Sequence, residues 1–174
     1  MKNTLGMLAL LAVGVGGCST TAQAPRDTAF SRADLQALTA AYQLIAFDLQ
    51  ECTLVQRQNP GPAVQRVATQ ICADAQHYRP MLEELAARYD VTLPNRLDYD
   101  LEEQYVALAY HPMPNFDVNY LNDQIASHEQ ALAVFRNTAG TTADGNIKAL
   151  YQNAIPVVEK NLASLHQAMA EKPQ

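Results

Sequence analysis

The chain has 174 residues, and its 4 histidines, 18 Asp and Glu and 3 cysteines are the side chains best able to hold a metal, move a proton or form a covalent bond. Spacing decides which of these is open. Asp74-Ala-Gln-His77 has the i, i+3 separation that sets a carboxylate and an imidazole on one face of a helix. A carboxylate-bridged di-iron centre in a helical bundle takes a carboxylate from each of two helices and a Glu-x-x-His pair from each of the other two. Asp48, Glu51 and Glu129 offer further oxygens, but Glu159 has Leu162 three residues on and His166 has no acid at the matching position. The donor set is therefore short of its fourth helix, and the weak metal candidates reduce to Asp74, His77 and His128. The favoured reading of His128 is a core residue on an apolar stripe, hydrogen-bonded to a Tyr, an Asn or a backbone carbonyl. Asn161 is a second structural polar residue of that core, and no metal or other cofactor is assigned.

Other chemistry has less support. The sequence has no Gly-rich phosphate loop, no H-E-x-x-H, no C-x-x-C and no nucleophile elbow. Ser127-His128-Glu129 sets three catalytic residue types in a row, yet helix neighbours point about 100° apart and cannot form a relay. Acidic pairs such as Glu83-Glu84 and Glu102-Glu103 read as solvated faces. No enzyme activity is assigned. With 12 Lys and Arg against 18 Asp and Glu the net charge is −6, and a nucleic-acid partner is excluded for want of a basic surface.

The first cysteine closes a different motif. Lys2 precedes an apolar run from Leu5 to Val15, followed by Gly16, Gly17 and Cys18. The run is shorter than the roughly 20 residues a membrane-spanning helix requires, and it fits an export signal. Val15-Gly16-Gly17-Cys18 resembles the bacterial lipobox, so residues 1–17 are expected to be a lipoprotein signal peptide. Cys18 is then the lipidation site, carrying diacylglycerol and palmitate. Loss of Lys2 with the signal leaves 11 basic against 18 acidic residues, or −7. Ser19 favours the outer membrane, periplasmic side, with the inner membrane as the alternative. Residues 18–30 are small and polar, a tether of roughly 40 Å when extended.

These residues must be positioned by helices. Apolar residues make up 48% of the chain against 17% charged, which suits one compact domain, expected over residues 31–172. Ser31 and Asp34 have capping-box spacing, with Phe30 placed to staple Leu35. Leu35, Leu38, Tyr42, Ile45, Leu49 and Cys52 follow at steps of 3 and 4, one face of a first helix. Asn59-Pro60-Gly61-Pro62 ends it. A second helix over about 62–89 carries Val64, Val67, Ile71, Tyr78, Leu82, Leu85 and Tyr89. After a connection holding a short helix near Asp98–Tyr110 and the His111-Pro112-Met113-Pro114 breaker, Asn115 or Asp117 caps a third long helix with Leu121, Ile125, His128, Leu132 and Phe135, which Gly140 ends. Thr141 with Asp144 caps the last, whose stripe includes Ile147, Tyr151, Val158 and Leu165 and which Pro156 should kink. The pattern is all-α: a four-helix bundle, ferritin-like with one long connection, up-down-up-down order being the alternative.

With Cys18 lipidated, two cysteines are left in an oxidising compartment, and a Cys52–Cys72 disulfide is expected across the first hairpin. Measured from the turn near Pro60 the two differ by about 6 Å along the axis, which helix offset can absorb. Two separate buried thiols are the competing reading.

Phe116-Asp117-Val118-Asn119-Tyr120-Leu121-Asn122-Asp123-Gln124-Ile125-Ala126-Ser127-His128, with Ala131 to Phe135, Ile155-Pro156 and the Leu85-Ala86 to Leu93-Pro94 segment, resembles the domain of unknown function 4142. The resemblance covers most of residues 31–171. It implies a ferritin-like bacterial envelope protein with no established activity. Asp74-Ala75 and Asn161 stand where that family tends to have histidines, and His128 is the family-like histidine retained. Two functions follow as expectations. The favoured one is a lipid-anchored binding or structural module with an unknown envelope protein or ligand as partner, its working surface near residues 97–115. The alternative is a metal-binding or metal-oxidising ferritin-like protein.

Overall fold

A computed structural model describes residues 30–110 and 115–171. The described residues form five helices: α1 (Arg32–Gln58), α2 (Pro62–Arg88), α3 (Tyr99–Ala109), α4 (Asn115–Thr141) and α5 (Gly145–Ala170). No strand occurs among them, and no helix is long and apolar enough to cross a membrane. Residues 1–29, the 111–114 breaker and the Lys172-Pro173 end lie outside the described residues.

Local chemistry sets the helix ends. The Ser31 hydroxyl accepts the Asp34 N–H at 3.2 Å while the Asp34 carboxylate accepts the Ser31 N–H at 2.8 Å, a closed capping box. Burial pushes the Asp34 carboxyl up, but hydrogen bonds from Thr142 and Ser31 outweigh it and hold the group below its ordinary value. The staple differs from expectation: Phe30 stacks on Tyr89 with ring centroids 4.1 Å apart, and Leu35 is exposed. Asn59, left-handed at φ 48°, closes α1. Asp144 alone caps α5, accepting the Asn146 and Ile147 N–H groups, and α4 runs through Gly140 to Thr141. Asp117 lies inside the first turn of α4, which begins at Asn115, and accepts the Gly61 N–H at 3.1 Å.

That contact fixes the topology. It brings the start of α4 to the α1–α2 turn, and the Arg66–Glu171 ion pair sets the end of α5 there too. At the opposite end the Tyr89 hydroxyl donates to Asp144, beside the α4–α5 turn. The order is thus up-down-down-up, the ferritin-like arrangement with a long crossover. Packing between α1 and α2, α1 and α4, α2 and α5, and α4 and α5 is antiparallel throughout. The crossover helix α3 lies over α1 and α4. Gln43 on α1 clamps its approach, donating to the Arg96 carbonyl at 3.0 Å and accepting the Asp98 N–H at 3.2 Å.

The core is divided. Leu38, Phe47, Leu82, Phe135, Ile147 and Tyr151 belong to one apolar cluster; Val64, Ile71, Phe116, Tyr120, Leu121 and Leu165 belong to another toward the α1–α2 turn. Each such side chain contributes about 1.5–3 kcal/mol by burial. Pro156 does not break α5, nor Pro80 α2; both prolines face solvent, where water can hydrate the carbonyl each one frees. The Tyr78 hydroxyl donates to the Asn153 carbonyl at 3.1 Å, tying α2 to α5 near Pro156.

Candidate functional site: a polar-headed cavity between the helices

Between the two clusters the four long helices turn polar side chains toward one another at mid-height. Gln124 on α4 reaches α1, its amide N–H₂ donating to Glu51 Oε2 at 2.6 Å and Asp48 Oδ1 at 3.1 Å. Glu51 has no exposed surface, and its Oε1 and the Gln124 Oε1 are buried without a hydrogen-bond partner. Burial drives the Glu51 carboxyl well above the ordinary carboxylate range, the Gln124 bond pulling against it and repulsion from Asp48 and Asp123 adding to it. A protonated Glu51 has a donor to give, which a carboxylate lacks. Asp48 is also raised by burial, with His128 and Gln124 working against the shift. The Tyr120 hydroxyl is pushed far up by burial and by the nearby Glu51 and Asp48.

His128 is buried, and its Nδ1 lies 3.0 Å from the Gln124 carbonyl, an acceptor. Nδ1 therefore carries the proton, and in the neutral ring the lone pair sits on Nε2. On α5, Asn161 is buried and accepts from Gln70 of α2 through its side-chain oxygen. Asp74 Oδ2 and the Tyr151 hydroxyl are buried without a partner. Burial and the Asp34 charge hold that tyrosine well above its ordinary pKa.

Asp48, Asp74, Ser127, His128 and Asn161 line one end of a cavity of about 60 Å³. From their level the lining descends to Leu82 on α2, Phe135 on α4 and Tyr151 on α5, a drop of roughly 10–15 Å at 1.5 Å per residue. The descending walls are Ala41, Leu44, Ala131, Leu150 and Ala154, so the cavity has an apolar stem and a polar head. Among the described residues no Lys or Arg lines it.

The family model described as "Domain of unknown function (DUF4142)" matches residues 19–168. The chain belongs to that family. A crystal structure of a DUF305 fragment from Deinococcus radiodurans is similar to this DUF4142 bundle, with a TM-score of 0.73 at 13% identity over 82% of this chain and 98% of that one. At that identity the likeness carries the ferritin-like fold alone. No curated protein matches the sequence.

The DUF4142 bundle assembles some of the candidate residues and separates others. Asp74 and His128 reach the same cavity from α2 and α4. His77 does not join them: it is exposed and packs edge-on against Tyr78 at 5.2 Å, so the Asp74–His77 pairing suggested by spacing does not form. Glu129 and His166 are exposed, and exposed Glu159 pairs with Arg136 at 2.7 Å. Among the described residues no three His, Cys, Asp or Glu side chains form a metal-holding group. The donor set of a ferritin-like di-metal centre thus does not fit this bundle. Cys52 and Cys72 are joined in a disulfide linking α1 to α2, with Cα atoms 5.9 Å apart. In the connection, Tyr99 and Tyr110 are largely exposed and Tyr105 half-buried; Met113 and Cys18 lie outside the described residues. Sequence reasoning weighed Asp48 and Glu51 only as metal oxygens and missed Gln124 as their bridge. Their i, i+3 spacing on α1 was the available signal, and nothing in the sequence names a partner on α4.

Proposed function

We propose that this chain is a non-enzymatic binding module of the bacterial envelope, held to the outer membrane through lipid on Cys18 and taking a small guest into the cavity between its helices. The cavity carries the reading. Native interiors leave few polar atoms unpaired, yet here Asp74 Oδ2 and the Tyr151 hydroxyl are both buried without a partner among the residues lining one space. A guest supplying the missing hydrogen bonds accounts for them. Val15-Gly16-Gly17-Cys18 supports the anchor.

Two measurements test the two halves. Labelled palmitate should enter the wild type and not Cys18→Ser, which should leave the membrane fraction; equal labelling refutes the anchor. Xenon under pressure, followed by ¹H–¹⁵N NMR, should shift amides around Ala131 and Ala154, and Ala154→Leu should abolish the shifts. Scattered surface shifts alone would refute an accessible cavity, and stoichiometric iron, zinc or copper by mass spectrometry of protein purified without chelator would replace this reading with a metal-binding one.

A further inference from the structure

Resting on the cavity reading above, the chemistry of the lining narrows the guest. We propose that the cavity binds a small primary ammonium ion on a short unbranched apolar chain, the N⁺–H₃ group at the Asp48–Asp74–His128 head and the chain in the stem. Two features of the site converge on this class. The head offers two carboxylates, one of them with Oδ2 buried and unpartnered, beside the His128 ring, whose Nδ1 is engaged with the Gln124 carbonyl. Among the described residues no Lys or Arg lines the cavity to offset those carboxylates, and His128 is the lining group that favours the charged form of Asp48, so an anion is disfavoured and a cation is the better match. An ammonium group brings three donors and no acceptor, the complement of such a head.

Size and shape select the rest. At about 60 Å³ the space is well under half of the roughly 150 Å³ of an apolar cavity that takes benzene, which limits the guest to a handful of non-hydrogen atoms. An aromatic amine is too large for that volume, and the lining by Leu44, Leu82 and Phe135 suits a short apolar chain. Bare divalent cations are disfavoured, since no three acidic or imidazole groups among the described residues could hold a metal ion, whereas an ammonium group bonds over longer contacts of about 2.7–3.2 Å and does not need a closed shell. The Tyr151 hydroxyl, on a side chain 1% exposed and without a partner, stands in the stem wall ten residues down α5 from Asn161. It offers a contact to a chain that ends in a polar atom. Burial raises Asp48 above the usual carboxylate range, and a cation at the head would favour its charged form.

The test is isothermal titration of the full chain with n-butylammonium chloride and with 1-butanol, the uncharged molecule of matching length. The expected result is saturable binding of n-butylammonium, at least tenfold weaker binding of 1-butanol, and at least tenfold loss of n-butylammonium affinity in Asp74→Asn. That isosteric variant should melt within a few degrees of the wild type, and Tyr151→Phe, which keeps the carboxylates, should retain n-butylammonium binding. Equal affinity for the alcohol and the ammonium, or an unaffected Asp74→Asn, overturns the cation assignment while leaving a cavity that takes guests. Failure of both probes together with exclusion of xenon overturns the cavity reading itself.

Discussion

Cutting the Cys52–Cys72 bridge tests the bundle where α1 and α2 are covalently joined. The cross-link spans a sequence separation of 20, and in the chain-entropy treatment a loop of that size stabilises by about 3 kcal/mol by restricting the unfolded chain. Reduction leaves both sulfurs in place, so packing changes little; Cys52→Ala with Cys72→Ala also empties space at Cys52, which is 7% exposed. Unfolding entropy near 2.1 cal/mol/K per residue, over a described domain of about 140 residues, is roughly 0.3 kcal/mol/K, so a loss of 3 kcal/mol lowers the melting temperature by about 10 °C. Urea unfolding of oxidised and reduced protein, with alkylation after denaturation to count free thiols, measures the difference. The m-value should rise on reduction because the freed loop exposes more surface when unfolded. A stability loss under about 1 kcal/mol with full alkylation after reduction would refute the reasoning.

Three further outcomes are expected. Burial raises Glu51 well above its ordinary 4.5, so the folded state keeps a proton that the unfolded chain loses. Stability is therefore full below about 4.5 and falls as pH rises toward the folded value, by up to about 1.4 kcal/mol per unit; Glu51→Gln should flatten this slope in urea titrations between pH 4 and 8, and parallel curves would contradict it. Gly61→Ala should cost about 1–3 kcal/mol, because its Cβ would lie 2.9 Å from Asp117 Oδ2 although φ of −59° suits any residue; a neutral effect in thermal denaturation would show that Asp117 moves freely. His128→Ala should lose about 1–3 kcal/mol through the cavity it leaves and the lost bond to the Gln124 carbonyl, checked by urea unfolding with metal content measured alongside; one equivalent of metal lost with the side chain would replace the structural account.

The helices were readable because caps and periodicity are local. Ser31 with Asp34, Asn59 through Pro62, and Asp144 each act within a few residues of themselves. Which face turns inward was harder to read. Counting large apolar residues put Leu35, Tyr42, Ile45 and Leu49 on the core face of α1, whereas the buried face is Ala37, Leu38, Ala41, Leu44, Phe47 and Leu54. Alanines let neighbouring helices approach closely but weigh little in a hydrophobicity count. The polar layer was less legible still. Asp48, Glu51, Gln124 and Asn161 look like surface residues in sequence, and only partners more than 70 residues away make their burial tolerable. Helix order likewise depended on long-range contacts, above all Asp117 with Gly61.

The up-down-down-up order also governs how the molecule bears a load. Because α4 starts where α1 ends, the first residue of α1 and the last of α5 sit at opposite ends of helices of 26–27 residues, about 40 Å apart along the axis. Tension between the two termini runs along the helices and drags α1 and α5 past their neighbours in shear, so many side-chain contacts must yield at once. An alternating order would have brought both termini to one end, where a helix peels away turn by turn under a smaller force. Forced unfolding is governed by the unfolding rate rather than by equilibrium stability, so a chain fixed at its N-terminus and pulled from its far end resists through its connectivity as well as through its core.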